Sequence, residues 1–207
     1  MPRMKIFSAS EEEAFESPPL FTNAERIRFF SLPAALTESA AALRTPSNRI
    51  RFLLAASYFK ARHKFFLRQY HAADLDFVAA QLAVSAADVS VDVHPRETYA
   101  RQQRLILNYF GFAPFDARAK GRIAEAIKRL VAVQARPRTV LIEAIDALTA
   151  KRIEIPSYNV LADLVVAALE QRQDALSDII DDSLTPSQRQ KLDALLGKAG
   201  VDGDEDG

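Results

Sequence analysis

The chain has 207 residues, of which 49% are hydrophobic and 26% charged, a composition typical of a globular protein with a buried core. It has no cysteine, which excludes disulfides and thiolate metal sites, and no apolar run near the ~20 residues that span a bilayer. The net charge is zero, but the charges are unevenly distributed along the chain. Residues 44–138 contain 17 Lys or Arg and 7 Asp or Glu, whereas residues 170–207 contain 4 Lys or Arg and 10 Asp or Glu. The basic middle attracts a polyanion and the acidic end repels one.

Glycine and proline are sparse and fall mostly between segments of helical periodicity, which predicts an all-α protein. Asn23, Ser157 and Thr185 are the expected N-caps, with Pro186 at a first helical position. A turn or short extended link is expected at 153–157 and a disordered tail at 198–207. In chain order, the predicted helices cover 23–30, 32–45, 47–61, 77–82, 85–89, 95–111, 117–135, 139–152, 157–182 and 184–197.

Two helix–turn–helix-like units are predicted around residues 77–110 and 140–170. We therefore expect two helical subdomains, a first DNA-binding one over 1–115 and a second over 116–185. A short helix and the acidic tail fill 186–207. The start of the chain turns acidic where a signal peptide needs an apolar stretch, so we expect a cytoplasmic protein with no membrane partner.

The sequence lacks the motifs of the common catalytic sites. With six glycines there is no G-x-G-x-x-G or GK[ST] phosphate loop, and no G-x-S-x-G elbow surrounds a serine. His63, His71 and His94 are scattered, at none of the spacings of a catalytic zinc site. We therefore expect no enzyme activity, no cofactor and no metal in this chain.

The stretch Phe77–Val89 has two interpretations. It is either a helix–turn–helix that places a recognition helix in DNA, or two core helices at a tight corner, and short matches of this kind give many false positives. Basic segments on both sides, at 59–70 and 95–104, favour DNA. The aromatic residues of 59–70 are expected in the core, with their basic neighbours at the surface.

Ser157, Tyr158 and Asn159 also have two interpretations, as a helix start and cap or as groups that face a DNA groove. The full set of candidate DNA-contacting residues combines cations for phosphates with polar groups for base edges. It comprises Arg44, Asn48, Arg49, Arg51, Lys60, Arg62, Lys64, Ser85, Arg96, Thr98, Arg101, Arg104, Arg136, Arg138, Ser157, Tyr158 and Asn159.

Several segments, taken in order over residues 18–197, resemble the N-terminal DNA-binding region of Tn-three family replicative transposases. They are "LFTNAERIRFFSLPAAL", "SNRIRFLLAASYFKA", "DFVAAQLAVSAADV", "RETYARQQRLILNYFGFAPF", "KRIEIPSYNVLADLV" and "LTPSQRQKLDALL". Two departures stand out, since Arg51 and Ala83 occupy positions where that family usually has glycine.

The resemblance implies a module that binds the terminal inverted repeats of a transposon as double-stranded DNA. The acidic catalytic residues and Mg²⁺ site of such transposases lie far downstream, so the chain is expected to be a non-catalytic fragment or truncated copy. Its other partners would be the remainder of the transposase or a second copy of itself. The alternative is a helical protein-interaction or oligomerisation module, in which the long helix at 157–182 pairs with a partner and the charges only solubilise.

Overall fold

The computed structural model describes residues 4–66, 69–89, 96–133, 136–185, 187–191 and 194. Every regular element in these residues is a helix, which confirms the all-α prediction. A three-residue 3₁₀ turn, Ala86–Asp88, lies between α5 and α6, and residues 187–191 are also helical. The helices are α1 Ala9–Glu16, α2 Asn23–Phe30, α3 Ala34–Ala41, α4 Pro46–Arg62, α5 Ala72–Gln81, α6 Arg96–Phe110, α7 Ala117–Val133, α8 Pro137–Ala150 and α9 Tyr158–Ser183.

Side-chain caps fix where the early helices begin. Ser8 and Glu11 form a reciprocal capping box on α1, a helix that the sequence analysis did not predict. Thr22 and Glu25 form the same box on α2, so Thr22 is the N-cap and the expectation for Asn23 is wrong. Thr185 Oγ1 accepts a hydrogen bond from the amide of Gln188, as predicted, while Pro186 lies outside the described residues.

Three helices end in the same left-handed turn, the Schellman motif. Ala83 follows α5 with φ 52°, Gly111 follows α6 with φ 68°, and Arg152 follows α8 with φ 51°. In each case the next amide donates back into the last helical turn, as Phe112 N does to Leu107 O at 2.9 Å. The predicted end of a helix at Gly111 is therefore confirmed, and Ala83 adopts a left-handed conformation that glycine tolerates better than alanine.

The prediction of a second helix over Ser85–Val89 is wrong. Only the 3₁₀ turn Ala86–Asp88 forms, and α5 starts at Ala72 rather than Phe77. Both α5 and α6 pack against α4. A three-residue turn is too short to enter a DNA groove, so a recognition helix at "SAADV" is withdrawn.

The buried side chains form two clusters. The first lies in α2–α6 around α4, with Tyr58, Phe52 and Phe59 almost fully buried, and the second lies in α7, α8 and α9, which pack pairwise as a three-helix bundle. The boundary predicted at residue 115 falls near the change from the first cluster to the second. The N-terminal segment is an exception, because Ile6, Phe7 and Phe15 lie before that boundary but pack against the second cluster.

Backbone and side-chain contacts join the two clusters. Ala113 and Ile153 form an isolated parallel bridge, with Ala113 N donating to Arg152 O at 2.8 Å and Glu154 N donating to Ala113 O at 2.9 Å. Ile155 N donates to His63 O at 2.9 Å. The link predicted at 153–157 thus has extended backbone that holds the end of α4 and the α6–α7 connection against α9.

The described part of the chain lacks two features. None of its helices has the length and apolar character needed to cross a membrane. Nor do those residues bring three or more His, Asp or Glu side chains together as a metal-binding group.

Candidate nucleic-acid interface

The exposed face of α6 combines arginine, amide and apolar side chains. Arg101, Arg104 and Asn108 follow one another at helical spacing, and Leu105 and Tyr109 lie beside them with 43% and 41% of their surface exposed. Neither arginine forms an ion pair with another described residue. All five side chains therefore project from one face of a single helix into solvent.

The opposite face of α6 fixes its position. Ile106 and Leu107 are buried in the first cluster, and Gln102 is 3% exposed. At the carboxyl end, Gly111 adopts the left-handed conformation, and a Cβ there would lie 3.2 Å from Arg152 Nη1. The helix thus packs against α4 through its buried face. It ends at Gly111, at the junction between the two clusters.

Further cations lie next to the end of α6. Arg152 Nη1 donates to Phe110 O at 3.4 Å, which places a guanidinium at the negative end of the α6 dipole. Lys151, its neighbour, is exposed. The α8–α9 connection therefore extends the basic surface beyond Phe110.

Helix α7 adds a basic stretch that the list of candidate residues missed. Arg118, Lys120 and Arg122 are exposed, and none of the three pairs with a described carboxylate. They lie in the first turns of the helix, where the macrodipole disfavours positive charge. The run "ARAKGR" could have predicted this basic stretch, because it places three cations within five residues and contains no acidic residue to pair with them.

Gly121 lies between two of these cations, in the middle of the exposed surface of α7. A Cβ at this position would meet no atom within 4 Å. Glycine inside a helix costs about 1 kcal/mol relative to alanine, and nothing within the protein requires it here. A surface without a side chain allows the backbone of a partner to approach closely.

Three predicted contact residues are buried and are withdrawn from the interface. Arg51 is 6% exposed and its Nε donates to Ser47 O at 3.2 Å. Lys64 is 5% exposed, and its Nζ lies 3.0 Å from Glu16 Oε2 and 3.9 Å from the centre of the Phe15 ring. Burial lowers the pKa of Lys64, and the pairing with Glu16 opposes that shift.

Tyr158 is the third buried residue, with 5% of its surface exposed. Its hydroxyl accepts hydrogen bonds from the amides of Ile6 and Phe7, both at 3.1 Å. Its own amide donates to Glu16 Oε1. The start of α9 is thus capped by a carboxylate from α1, which suits the positive end of the helix dipole and leaves no room for a DNA phosphate.

Other predicted cations satisfy helix ends. Lys60 Nζ donates to the carbonyls of Arg28 and Ser31 at 2.9 and 3.0 Å, and burial lowers its pKa. Arg49 Nε donates to Leu43 O at 2.9 Å. These two residues hold α2 and α3 against α4, so their positive charges are only partly available to a ligand.

The remaining predicted residues differ in exposure. Arg138 is exposed but pairs with Glu11 at 2.7 Å, and Asn48 and Thr98 are half-buried. The backbone of Arg96 is helical, while its side chain lies outside the described part of the structure. The exposed residues are Arg44, Arg62, Ser85, Arg136, Ser157 and Asn159, together with Arg101 and Arg104 on α6.

A cavity of about 260 Å³ lies at the junction between the clusters. Its lining includes Glu16, Lys64, Tyr99 and Glu154. Burial raises the pKa of the Glu154 carboxyl, which accepts a hydrogen bond from Phe115 N at 3.3 Å. Since Glu16 and Lys64 pair with each other and Glu154 bonds to the backbone, these groups hold the junction together.

No curated protein matches the chain. A family model described as Domain of unknown function (DUF4158) matches residues 6–168, from the N-terminal segment to the last buried residue of α9. The match covers both clusters and the contacts between them, and the chain therefore belongs to the DUF4158 family.

Proposed function

We propose that the chain is a non-catalytic, sequence-specific double-stranded DNA-binding module that uses the exposed face of α6. The observation that carries the proposal is the set of side chains on that face, which are solvent-exposed and of the types that contact base edges, and whose two arginines form no ion pair with the described residues. Helix α6 has 15 residues and is about 22 Å long, and the ~10–12 Å diameter of an α-helix with its side chains fits the ~12 Å width of a major groove.

Each residue type on α6 has a matching contact in DNA. Arg101 and Arg104 suit guanine or a flanking phosphate, Asn108 suits adenine, and the apolar surface of Leu105 suits a thymine methyl group. Tyr109 offers an aromatic face with a hydroxyl at its tip. The first cluster is the scaffold that presents this helix, and no catalytic group is needed for the task.

The cations of α7 would hold the DNA backbone beside the groove. Arg118, Lys120 and Arg122 provide three positive charges, and Gly121 removes the side chain that would keep a sugar–phosphate strand at a distance. Lys151 and Arg152 add positive charge near the end of α6. Such contacts position a protein on DNA without selecting a sequence.

The resemblance to Tn-three family transposases supports a more specific ligand, the terminal inverted repeat of a transposon. On this proposal the chain works in the cytoplasm as the end-binding part of a transposase, and strand transfer belongs to a separate catalytic region. The basic surface of the middle and the acidic helix α9 fit an orientation in which α9 leads away from the DNA.

Fluorescence anisotropy tests the proposal with two labelled duplexes, the terminal inverted repeat of the encoding element and a scrambled duplex of equal composition. We expect a preference of at least ~10³ for the repeat and a steep loss of affinity between about 50 and 200 mM salt. Arg101→Glu/Arg104→Glu should abolish specific binding, and Asn108→Ala should reduce the preference while sparing affinity for the scrambled duplex.

The matched control is Lys5→Glu/Arg28→Glu, which makes the same change in net charge at exposed positions on α2 and the N-terminal segment. It should leave binding nearly intact. No binding of the unaltered chain at low salt, or an equal loss in the control, would refute the proposal. Salt-insensitive self-association without DNA binding would instead support the alternative, a helical oligomerisation module.

A further inference from the structure

Helix α9 carries an apolar stripe, of which the described residues of the chain cover only the first half. Tyr158, Leu161 and Val165 lie on the face that is buried in the second cluster. Continuing at helical spacing on the same face, Leu176 and Ile180 are 49% and 51% exposed. The apolar spacing typical of a helix that packs on a core therefore continues in α9 beyond the second cluster.

The neighbouring helices are too short to cover the second half. Helix α9 has 26 residues, whereas α7 has 17 and α8 has 14. Arg172 Nη1 donates to Val131 O near the end of α7, and roughly 16 Å of α9 extends beyond that contact. The projecting half borders a groove of about 530 Å³ whose apolar lining comes from Met4, Pro137, Leu169, Leu176 and Ile180.

The charges around the stripe are arranged in a way that permits self-association. Asp174, Asp178 and Asp182 lie on the opposite face of the helix, away from Leu176. The exposed residues directly beside the stripe, Gln173 and Ser177, are uncharged. Two copies of this face could approach each other without bringing carboxylates together. An acidic partner would instead have to bury its own carboxylates against the apolar stripe.

We propose that the projecting half of α9 is covered by the same segment of a second copy of the chain, in an antiparallel, two-fold symmetric pair. In this arrangement Leu176 of each copy packs against Ile180 of the other, which is the reciprocal contact that such symmetry requires. The antiparallel direction also places Arg172 near the carboxyl end of the other α9, where the carbonyls of the last helical turn carry partial negative charge.

This surface is separate from the exposed face of α6, so the proposal does not depend on DNA binding. The paired α9 helices would present two copies of the basic surface in one symmetric particle. A small apolar contact of this kind is typical of weak or transient association. The acidic far faces of the two helices would remain in solvent.

Sedimentation equilibrium of the full chain, over about 1 µM to 1 mM, tests the pairing. We expect a monomer–dimer equilibrium that Ile180→Asp weakens at least ~10-fold, since a buried charge would replace an apolar contact. The control is Ile27→Asp, an equally drastic change at a site that is 59% exposed on α2, which should leave the equilibrium unchanged. A chain that stays monomeric throughout, or an equal effect of the control, would overturn the proposal.

Crosslinking tests the direction of the pair. The chain has no cysteine, so Leu176→Cys and Ile180→Cys each introduce a single thiol. A thiol crosslinker that spans the ~8–10 Å between packed helices should join a mixture of the two variants more efficiently than either variant alone. Preferred crosslinking of Leu176→Cys to itself would mean a different register or a parallel pair, and would refute the antiparallel arrangement.

Discussion

The carboxylate of Asp74 accepts a hydrogen bond from the hydroxyl of Tyr58 at 2.8 Å, inside the first cluster. Its other oxygen accepts from Arg26 Nε at 2.7 Å, and Asp74 is fully buried. Burial raises the pKa of Tyr58 above its usual value, so the phenol stays protonated and acts as the donor. One carboxylate thus connects α2, α4 and α5.

Replacing Asp74 with alanine leaves Arg26 without its buried partner and Tyr58 without an acceptor. We expect a loss of about 3–5 kcal/mol in the free energy of unfolding, because removing one member of a buried ion pair strands the other. Denaturant titration followed by circular dichroism measures it. Asp76→Ala, at an exposed site on the same helix, should change stability by no more than ~0.5 kcal/mol. Similar losses in both variants would contradict this account.

Ala83 adopts a left-handed conformation that glycine tolerates better. We expect Ala83→Gly to raise the free energy of unfolding by about 1 kcal/mol, since a Cβ at φ 52° is strained. Ala175→Gly, at an exposed position inside α9, should lower it by a similar amount. Thermal unfolding of both variants checks the opposite signs, and destabilisation by Ala83→Gly would show that the turn is not strained.

Acid should weaken the attachment of α1. The Ser8 amide and, secondly, Arg138 lower the pKa of Glu11 from 4.5 to about 2. Because the pKa is depressed in the folded chain, the carboxylate stabilises the fold above pH 4.5 and loses that effect as the pH falls toward 2. Denaturation midpoints of the wild type and Glu11→Gln should therefore differ above pH 4.5 and converge near pH 2. Arg138→Gln should reduce the difference only in part, and a constant offset at every pH would contradict the linkage.

Gly121 should separate stability from DNA binding. Gly121→Ala is expected to raise the free energy of unfolding by up to about 1 kcal/mol, since the added methyl meets no atom and alanine favours the helix. If a DNA backbone lies against this surface, the same change should weaken DNA binding. Thermal unfolding and anisotropy on one sample measure both effects. A stabilised variant with unchanged DNA affinity would remove α7 from the proposed interface.

Local sequence signals predicted most helices, because caps and periodicity act over a few residues. Gly111 and Thr185 mark helix ends in the structure as they do in the sequence. The capping box formed by Ser8 and Glu11 was also present in the sequence, and α1 could have been predicted from it. At Ala83 the left-handed turn forms without the glycine that such turns favour.

Contacts between distant residues could not be predicted in this way. Lys64 is one of several cations in its segment, and only the folded chain shows that Glu16 and Phe15 surround it. Tyr158 is one of three consecutive polar residues at a helix start, and its burial depends on a segment near the other end of the chain. The exposed face of α6, by contrast, follows from helical periodicity alone.

The hydrogen bonds from Ile6 and Phe7 to Tyr158 have a consequence for folding during synthesis. The donor and acceptor are 152 and 151 residues apart, so at 5–20 residues per second the N-terminal segment waits on the order of 10 s for its acceptor to be made. During that interval Phe7 and Phe15 have no finished core to cover them. A deletion around Ile6 and Phe7 should therefore disturb the second cluster, which is synthesised later, rather than the first cluster, which is synthesised earlier.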